Sequence, residues 1–501
     1  MKRNQWMFVI AALFIYGFTT LIYNLSCFKS FCYPTFDLGI YMEAVQKFSW
    51  HDLNPFLSSF GVSFLNDHWH PALALAKLPH LFSIPLSDSL FLTESCFVML
   101  IAVLPIVLVR SQVLEGGAAA LVGLFFILNQ RTFEASMAFP VHPAVWANYF
   151  LLLATVWILS HHASAETTLK NDLSIFSAIF IAGFFGEQFS LSLLGLSLAY
   201  LFTSPRKRLG IAATLFSLAW VWFTLWGRSH WVGPILQQTE RVSFSPQSVL
   251  SKYPWNLAQL KSFLKFVLES FPLWFVAIRF RKTVFLHLNE VLLISGIFLP
   301  LILGRVLSGS FGHQYDTLLV TAVAALALLL FVSSSSSSSS SRVHVPDRIL
   351  GLSFVFFILL AYPKFEQAYG MIAQKKLPNC LREKGADAAA MNQERIQGLR
   401  QAEKIMQGES SSKILALGNL VPNLIQEFPR SQIIALGSPG LSPGLLPGLL
   451  DDVHWILVEH GKCGDPWPWD EQRVEAFVSA TLRQPGVETI QNTPCLFFAH
   501  R

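Results

Sequence analysis

The chain is 501 residues long, 53% hydrophobic and only 13% charged, with a formal net charge of +5. A soluble domain carries about 25% charged residues, so a disordered chain, a nucleic-acid binder with a basic stripe and an ordinary soluble enzyme are all excluded. The apolar residues come in blocks of about the length that crosses a ~30 Å hydrocarbon layer. The expectation is an α-helical polytopic membrane protein.

In chain order, Met1-Lys2-Arg3 precedes an uncharged run from Trp6 to Tyr23. No small-residue cleavage site follows, so this run reads as a retained signal-anchor helix. Further candidate spans lie near 90–109, 116–128, 143–160, 173–185, 189–204, 209–226, 262–278, 288–304, 315–332 and 349–362, about eleven in all. The stretch from Pro71 to Pro85 is broken by Lys77, Pro79 and His80 and reads as a helix lying at the interface. If Lys2 and Arg3 are cytoplasmic, this count puts Arg110, Lys170, Arg206-Lys207-Arg208, Arg279 to Lys282 and Arg342 to Arg348 on the same side, as the positive-inside rule asks. Merging 173–204 into one span would put Arg206-Lys207-Arg208 on the wrong face, and Gly186-Glu187-Gln188 supplies the polar break that avoids it. The opposite face then receives the loops 24–72, 129–142, 227–261 and 305–314, the Glu187 turn, and the tail from about 363.

Nine consecutive serines, 333–341, cannot bury an apolar face and read as a flexible cytoplasmic linker. The tail changes character. Residues 381–407 have helical spacing; Lys413 to Gly418, Ile433 to Gly437, Val453 to Val458 and Cys495 to Ala499 read as strands, with helices over Leu420–Phe428 and 470–483. This alternation predicts a small α/β domain, with no glycine-rich phosphate loop after either strand-ending glycine. The expected organisation is a helical bundle over 1–362 and an extracytoplasmic helical linker and α/β domain over 363–501. The six cysteines contain no CxxC, which speaks against a zinc ribbon or thioredoxin-like site. Cys27 and Cys32 could pair on an oxidising side or stay as thiols.

Several residues that could carry chemistry fall on the expected outer face. Asp37, just past the first span, could accept a proton from an attacking hydroxyl, hold a divalent cation, or simply N-cap a helix. His68 and His70 flank Trp69, read as an interface anchor. With His142 and His313 they could form a metal set, although a site needs three or four ligands and a structural hydrogen bond is the alternative for each. The sequence does not require a cation. Glu187 interrupts apolar sequence on both sides, and an ionisable group at membrane depth points to function; the alternative is a water-solvated re-entrant turn. Arg305, Ser308, Ser310 and His313 lie beside Tyr315-Asp316. The guanidinium there could grip a phosphate bidentately or snorkel to headgroups.

Phe36-Asp37-Leu38-Gly39-Ile40, Asp67-His68-Trp69-His70-Pro71, Phe139-Pro140-Val141-His142-Pro143, Gly186-Glu187, Gly312-His313-Gln314-Tyr315 and the Lys413-to-Gly437 segment together resemble a bacterial multi-span membrane family of unknown function. That family more distantly resembles the GT-C glycosyltransferases, such as protein O-mannosyltransferases. The resemblance implies an acidic residue after the first span, a His-Pro entering a later helix, and a sugar taken from a polyprenyl-phosphate donor on the extracytoplasmic side. Asp37 matches the acidic position and His70-Pro71 the His-Pro; Leu38 stands where many relatives carry a second acidic residue. Glu187 falls where the nearer family often has an acidic residue, and His313-Gln314-Tyr315 where it has a His-Tyr pair.

Three functions remain open at this level. The first is a glycosyltransferase of a bacterial inner membrane, with a polyprenyl-phosphate sugar and membrane lipids as its partners and no nucleic acid. Asp37 would be its base, with His68, His70, His142 and Glu187 around the sugar and Arg305, His313 and Tyr315 near the phosphate. The second is a transporter or lipid flippase with Glu187 and the histidines along its path, although no internal repeat is visible. The third is a non-catalytic assembly protein that displays the α/β tail.

Overall fold

A computed structural model describes residues 1–31, 36–49, 51–67, 69–111, 113–138, 141–163, 168–227, 257–279, 288–308, 316–333, 345–373, 386–409, 412–436, 450, 452–461, 463 and 471–501. The principal helices are α1 (Arg3–Lys29), α2 (Phe36–Lys47), α3 (Leu86–Val103), α4 (Gly116–Leu128), α5 (Gln130–Ala138), α6 (Pro143–Ala163), α7 (Leu169–Ala182), α8 (Ser190–Thr203) and α9 (Lys207–Trp222). They continue with α10 (Leu257–Glu269), α11 (Phe271–Arg279), α12 (Leu288–Ser308), α13 (Asp316–Ser333), α14 (Asp347–Ala373), α15 (Ala386–Met406), α16 (Val421–Glu427) and α17 (Glu471–Thr481). The chain divides into two compact units. One comprises Met1–Leu21, His68–Ala72 and Thr93–Gln367; the other comprises Ile22–Asp67, Leu73–Leu92 and Ala368–Arg501.

The first unit is helical and apolar. Among the described residues, the helices Arg3–Lys29, Leu86–Arg110, Pro143–Ser160 and Asp347–Tyr369 are long and apolar enough to cross a membrane, and Gly116–Leu128, Leu288–Leu303 and Thr317–Val332 are shorter apolar helices. With hydrocarbon as solvent, every backbone group of such segments must be satisfied internally, which is why they are helices. Small residues set how closely they approach. α4 begins Gly-Gly-Ala-Ala-Ala and is buried along its whole length; a Cβ on its Gly123 would sit 2.5 Å from the Ala102 carbonyl oxygen. α8 packs extensively on α12, and there Gly195 and Gly296 face one another: a Cβ on Gly296 would meet the Gly195 carbonyl oxygen at 2.5 Å. Thr168 starts α7 as an N-cap, its hydroxyl accepting from the Asn171 amide at 3.3 Å.

Several local expectations change. α1 runs to Lys29 rather than ending at Tyr23, because Asn24 to Phe28 hold no helix breaker and Asn24, Cys27 and Phe28 are buried. Residues 129–142 are not a plain loop: α5 fills most of them, with Arg131, Thr132 and Ser136 buried. Pro71–Ala76 is a 3-10 helix followed by a single turn, Lys77–His80. Lys77 donates to the Gln46 carbonyl at 3.1 Å and to the Phe48 carbonyl, closing the C-terminus of α2. α14 passes straight through Pro363 to Ala373.

The second unit is built on a five-stranded sheet. β1 (Phe56–Leu57) and β2 (Val62–Ser63) form a separate small hairpin. The sheet contains β3 (Lys413–Leu417), β4 (Gln432–Leu436), β5 (Trp455–Glu459), β6 (Glu488–Asn492) and β7 (Leu496–His500), in the order β4-β3-β5-β7-β6. β3 pairs parallel with β4 and β5, while β7 pairs antiparallel with β5 and β6. The interior strands are continuously apolar because both of their faces are covered. Their core includes Leu415, Leu417, Ile434, Ile456, Val458 and Phe497, with Val474, Phe477 and Val478 of α17. Cys463 and Cys495 form a disulfide that joins the exit of β5 to the entry of β7, a pair the sequence left unassigned. Cys27 is a free, buried thiol, and Cys32 lies outside the described residues. So does the serine tract from 334 onward.

Candidate functional site

In the first unit, two of the expected site residues meet. His70 and His142 are both buried, 5% exposed, and their rings lie edge to face with centroids 5.8 Å apart. His142 is the residue before α6, so its amide is one of the unpaired N–H groups at a helix start. That amide donates to Glu94 Oε2 of α3 at 2.8 Å. Val141, immediately before it, is fully buried with φ at 67°. For a β-branched residue this is a strained backbone, of the kind that persists only where its surroundings over-determine it.

Glu94 itself is 3% exposed, in the middle of α3. Besides the His142 amide, the Val141 amide, the Trp146 indole and the Ser136 hydroxyl of α5 interact with its carboxylate. Ser136 also shares a 2.6 Å hydrogen bond with Tyr16 of α1. A buried polar string therefore runs from Tyr16 through Ser136 and Glu94 to the start of α6 and the histidine pair. Glu94 was hidden in the sequence inside the apolar run 90–109.

The segment before Glu187 is stitched to the segment that carries His70. Trp69 donates its indole N–H to the Gly183 carbonyl at 3.0 Å, and the Ala72 amide donates to the Phe184 carbonyl at 3.1 Å. Phe185 packs on Trp146, with centroids 6.2 Å apart, one turn into α6 from His142. Glu187 opens the 3-10 turn Glu187–Phe189, half-buried, and its carbonyl accepts from the Ser190 hydroxyl at 2.6 Å. Trp69 is thus an interior residue, packed edge-on against Trp220 and Phe223, and not an interface anchor. The interior wins because its indole N–H finds a carbonyl there.

Asp37 belongs to the second unit. It is half-buried in the first turn of α2, where the helix dipole favours a negative charge. Gly39, two residues on, lies against α16: a Cβ there would be 3.0 Å from Val421 Cγ1 and 3.4 Å from Phe60. Glu43 of the same helix accepts from the Ser58 amide at 2.7 Å, the Ser58 hydroxyl at 2.8 Å, the Ser59 amide at 3.2 Å and Lys47 at 2.5 Å. His68, His313 and Tyr315 lie outside the described residues, and Arg305 is described only as a backbone position within α12. Among the described residues, no three His, Cys, Asp or Glu side chains gather as a metal centre.

Taken together, the described residues form a set of apolar helices and a small C-terminal five-stranded sheet. The chain is similar along its whole length to ArnT from Cupriavidus metallidurans. The likeness to the structure bound to undecaprenyl phosphate has 13% identity and a TM-score of 0.55, covering 99% of this chain and 98% of that one. The apo structure of the same protein gives 12% identity and a TM-score of 0.55, covering 98% and 97%. A weaker likeness is to the Archaeoglobus fulgidus oligosaccharyltransferase, at 11% identity and a TM-score of 0.48, covering 90% of this chain and 69% of that one. No family model and no curated protein matches the sequence.

Proposed function

We propose that the protein is a membrane glycosyltransferase that moves a sugar from a polyprenyl-phosphate donor to an extracytoplasmic acceptor. The observation that carries this reading is the end-to-end likeness to ArnT, whose structure holds undecaprenyl phosphate. Asp37 is the general base. It takes the proton of the acceptor hydroxyl as that oxygen attacks the anomeric carbon. The carbon–oxygen bond to phosphate breaks, and polyprenyl phosphate leaves with the bonding electrons. A phosphate leaving group needs no strong acid, so one carboxylate suffices. His68, His70, His142 and Glu187 shape the sugar pocket, and Arg305, His313 and Tyr315 hold the phosphate.

The protein sits in the bacterial inner membrane with its N-terminus cytoplasmic. Its helical bundle spans 1–362, and the domain over 363–501 is extracytoplasmic. The Cys463–Cys495 disulfide supports that side for the domain, since disulfides persist in oxidising compartments.

The test is reconstitution in vesicles with an undecaprenyl-phosphate-linked radiolabelled hexose and extracted envelope acceptors. The expected result is label in a new glycosidic bond, lost in Asp37→Asn at unchanged protein abundance. Label that only crosses the bilayer, or full transfer by Asp37→Asn, would overturn the reading.

A further inference from the structure

In the sheet of the second unit, the chain moves outward from β3 to β4 and then returns across β3 to β5. The carboxyl ends of β3 and β5 therefore flank a topological switch point, the place where open α/β sheets bind ligands. Here the chain fills that place itself. Glu459, the last residue of β5, and Asn419, two residues past β3, are both buried, and the Asn419 amide donates to the Glu459 carboxylate. The same carboxylate pairs with Arg395 of α15, whose side chain is 1% exposed.

Arg395 also reaches the chain just beyond α1. Its Nη2 donates to the Phe31 carbonyl at 2.6 Å and its Nη1 to the Ser30 carbonyl at 3.3 Å. Phe31 is buried, 4% exposed, and holds φ at 54°, a left-handed conformation that helix ends normally give to glycine. A bulky residue stays there only if something fixes it, and the guanidinium bonded to its carbonyl does so. Two neighbouring contacts tie the same segment to the sheet domain: Asn423 donates to the Phe28 carbonyl at 2.7 Å, and Gly39 of α2 lies against Val421 of α16. Met391, one turn before Arg395, packs on the Cys463–Cys495 disulfide.

We infer that Arg395 is a positioning residue: from the switch point of the sheet it pins the strained turn at Phe31 and thereby sets where α2 and its Asp37 carboxylate stand. The α/β domain is then a holder for the first loop, not a ligand-binding module. The pin's bearing on catalysis rests on the reading of Asp37 as base; the placement itself does not.

The experiment is hydrogen exchange by mass spectrometry on the full chain in nanodiscs. Arg395→Met alone leaves the Glu459 charge buried and unpaired, so the informative variant is Arg395→Met with Glu459→Gln. The expected result is exchange over residues 28–31 and 36–47 faster by at least about tenfold, the scale of a lost charge-assisted hydrogen bond, with β3, β4 and β5 as protected as in the wild type. Arg395→Lys, which keeps a donor for the Phe31 carbonyl, should recover part of the protection. Unchanged exchange over 28–31 and 36–47, or equal loosening of the sheet, would overturn the inference. The labelled-transfer assay of Asp37→Asn judges the base separately.

Discussion

At the scale of single residues, Glu94 holds the backbone at the start of α6, where His142 stands. Its carboxylate is the acceptor for the His142 amide beside the strained Val141. Glu94→Ala leaves that N–H buried without a partner and should cost about 1–3 kcal/mol, read as a lowered melting temperature in detergent. Glu94→Gln keeps an acceptor and should lose much less; equal losses would mean that the capping bond contributes little. In the second unit, burial and the nearby Glu427 carboxylate push Glu403 up to about 7, against the opposing pull of Arg400. Folded Glu403 thus keeps its proton through a range in which the unfolded carboxyl, near 4.5, has lost it. Its contribution is fully present below about pH 4.5 and fades as pH rises through about 7. Glu403→Gln should therefore stabilise the protein at pH 8 and leave it unchanged near pH 4, and a melting gain that is the same at both would refute the assignment. Asp37, His70 and His142 stood out in the sequence because each stands beside a Gly or Pro motif, and of these the two histidines meet. Glu94 was not, because one carboxylate between Thr93 and Ser95 barely dents the hydropathy of its span. An acid at membrane depth was the available signal.

At the scale of elements, the α8–α12 contact rests on absent side chains. Gly195→Val drives a branched side chain into the Gly296 backbone and should destabilise by about 3 kcal/mol, the upper range for overpacking. Loss of a monodisperse peak after detergent extraction checks this, and a variant that extracts like the wild type would show the contact to be slack. Most helices and strands were readable from apolar blocks and strand–helix alternation, including the break at Gly186-Glu187-Gln188 that separates α7 from α8. The expected span 262–278 is instead the two helices α10 and α11, and β6 was not readable. α5 was not, because polar residues such as Gln130, Arg131 and Glu134 read as a loop. Two of their partners are distant in sequence and invisible in the local pattern: Arg131 faces Glu269 at 3.7 Å, and Glu134, which also accepts from Gln130 within the helix at 2.7 Å, faces Lys364 at 3.9 Å. Trp69 failed for the same reason, since its acceptor lies 114 residues away.

At the scale of the whole molecule, the disulfide closes a 32-residue separation, a loop whose constraint is worth roughly 3–4 kcal/mol. Cys463→Ser should lower the melting temperature accordingly, and non-reducing peptide mapping of protein from intact cells should recover the 463–495 cross-link. Free thiols at both positions would argue against an oxidising compartment for this domain. The α/β character of the tail was visible in its strand and helix alternation. Its union with the first loop was not, because contacts such as Asn423 to Phe28 join residues 395 apart and leave no local pattern.

The pin at Phe31 also imposes a timetable on biogenesis. The carbonyls of Ser30 and Phe31 emerge from the ribosome early, but the guanidinium that completes them follows up to 365 residues later. At synthesis rates of about 5–20 residues per second, this is a wait of roughly 20–70 s. Nascent chains stalled before residue 395 should therefore carry an unfinished first loop, cut readily by proteases, that becomes resistant only in about the final fifth of translation.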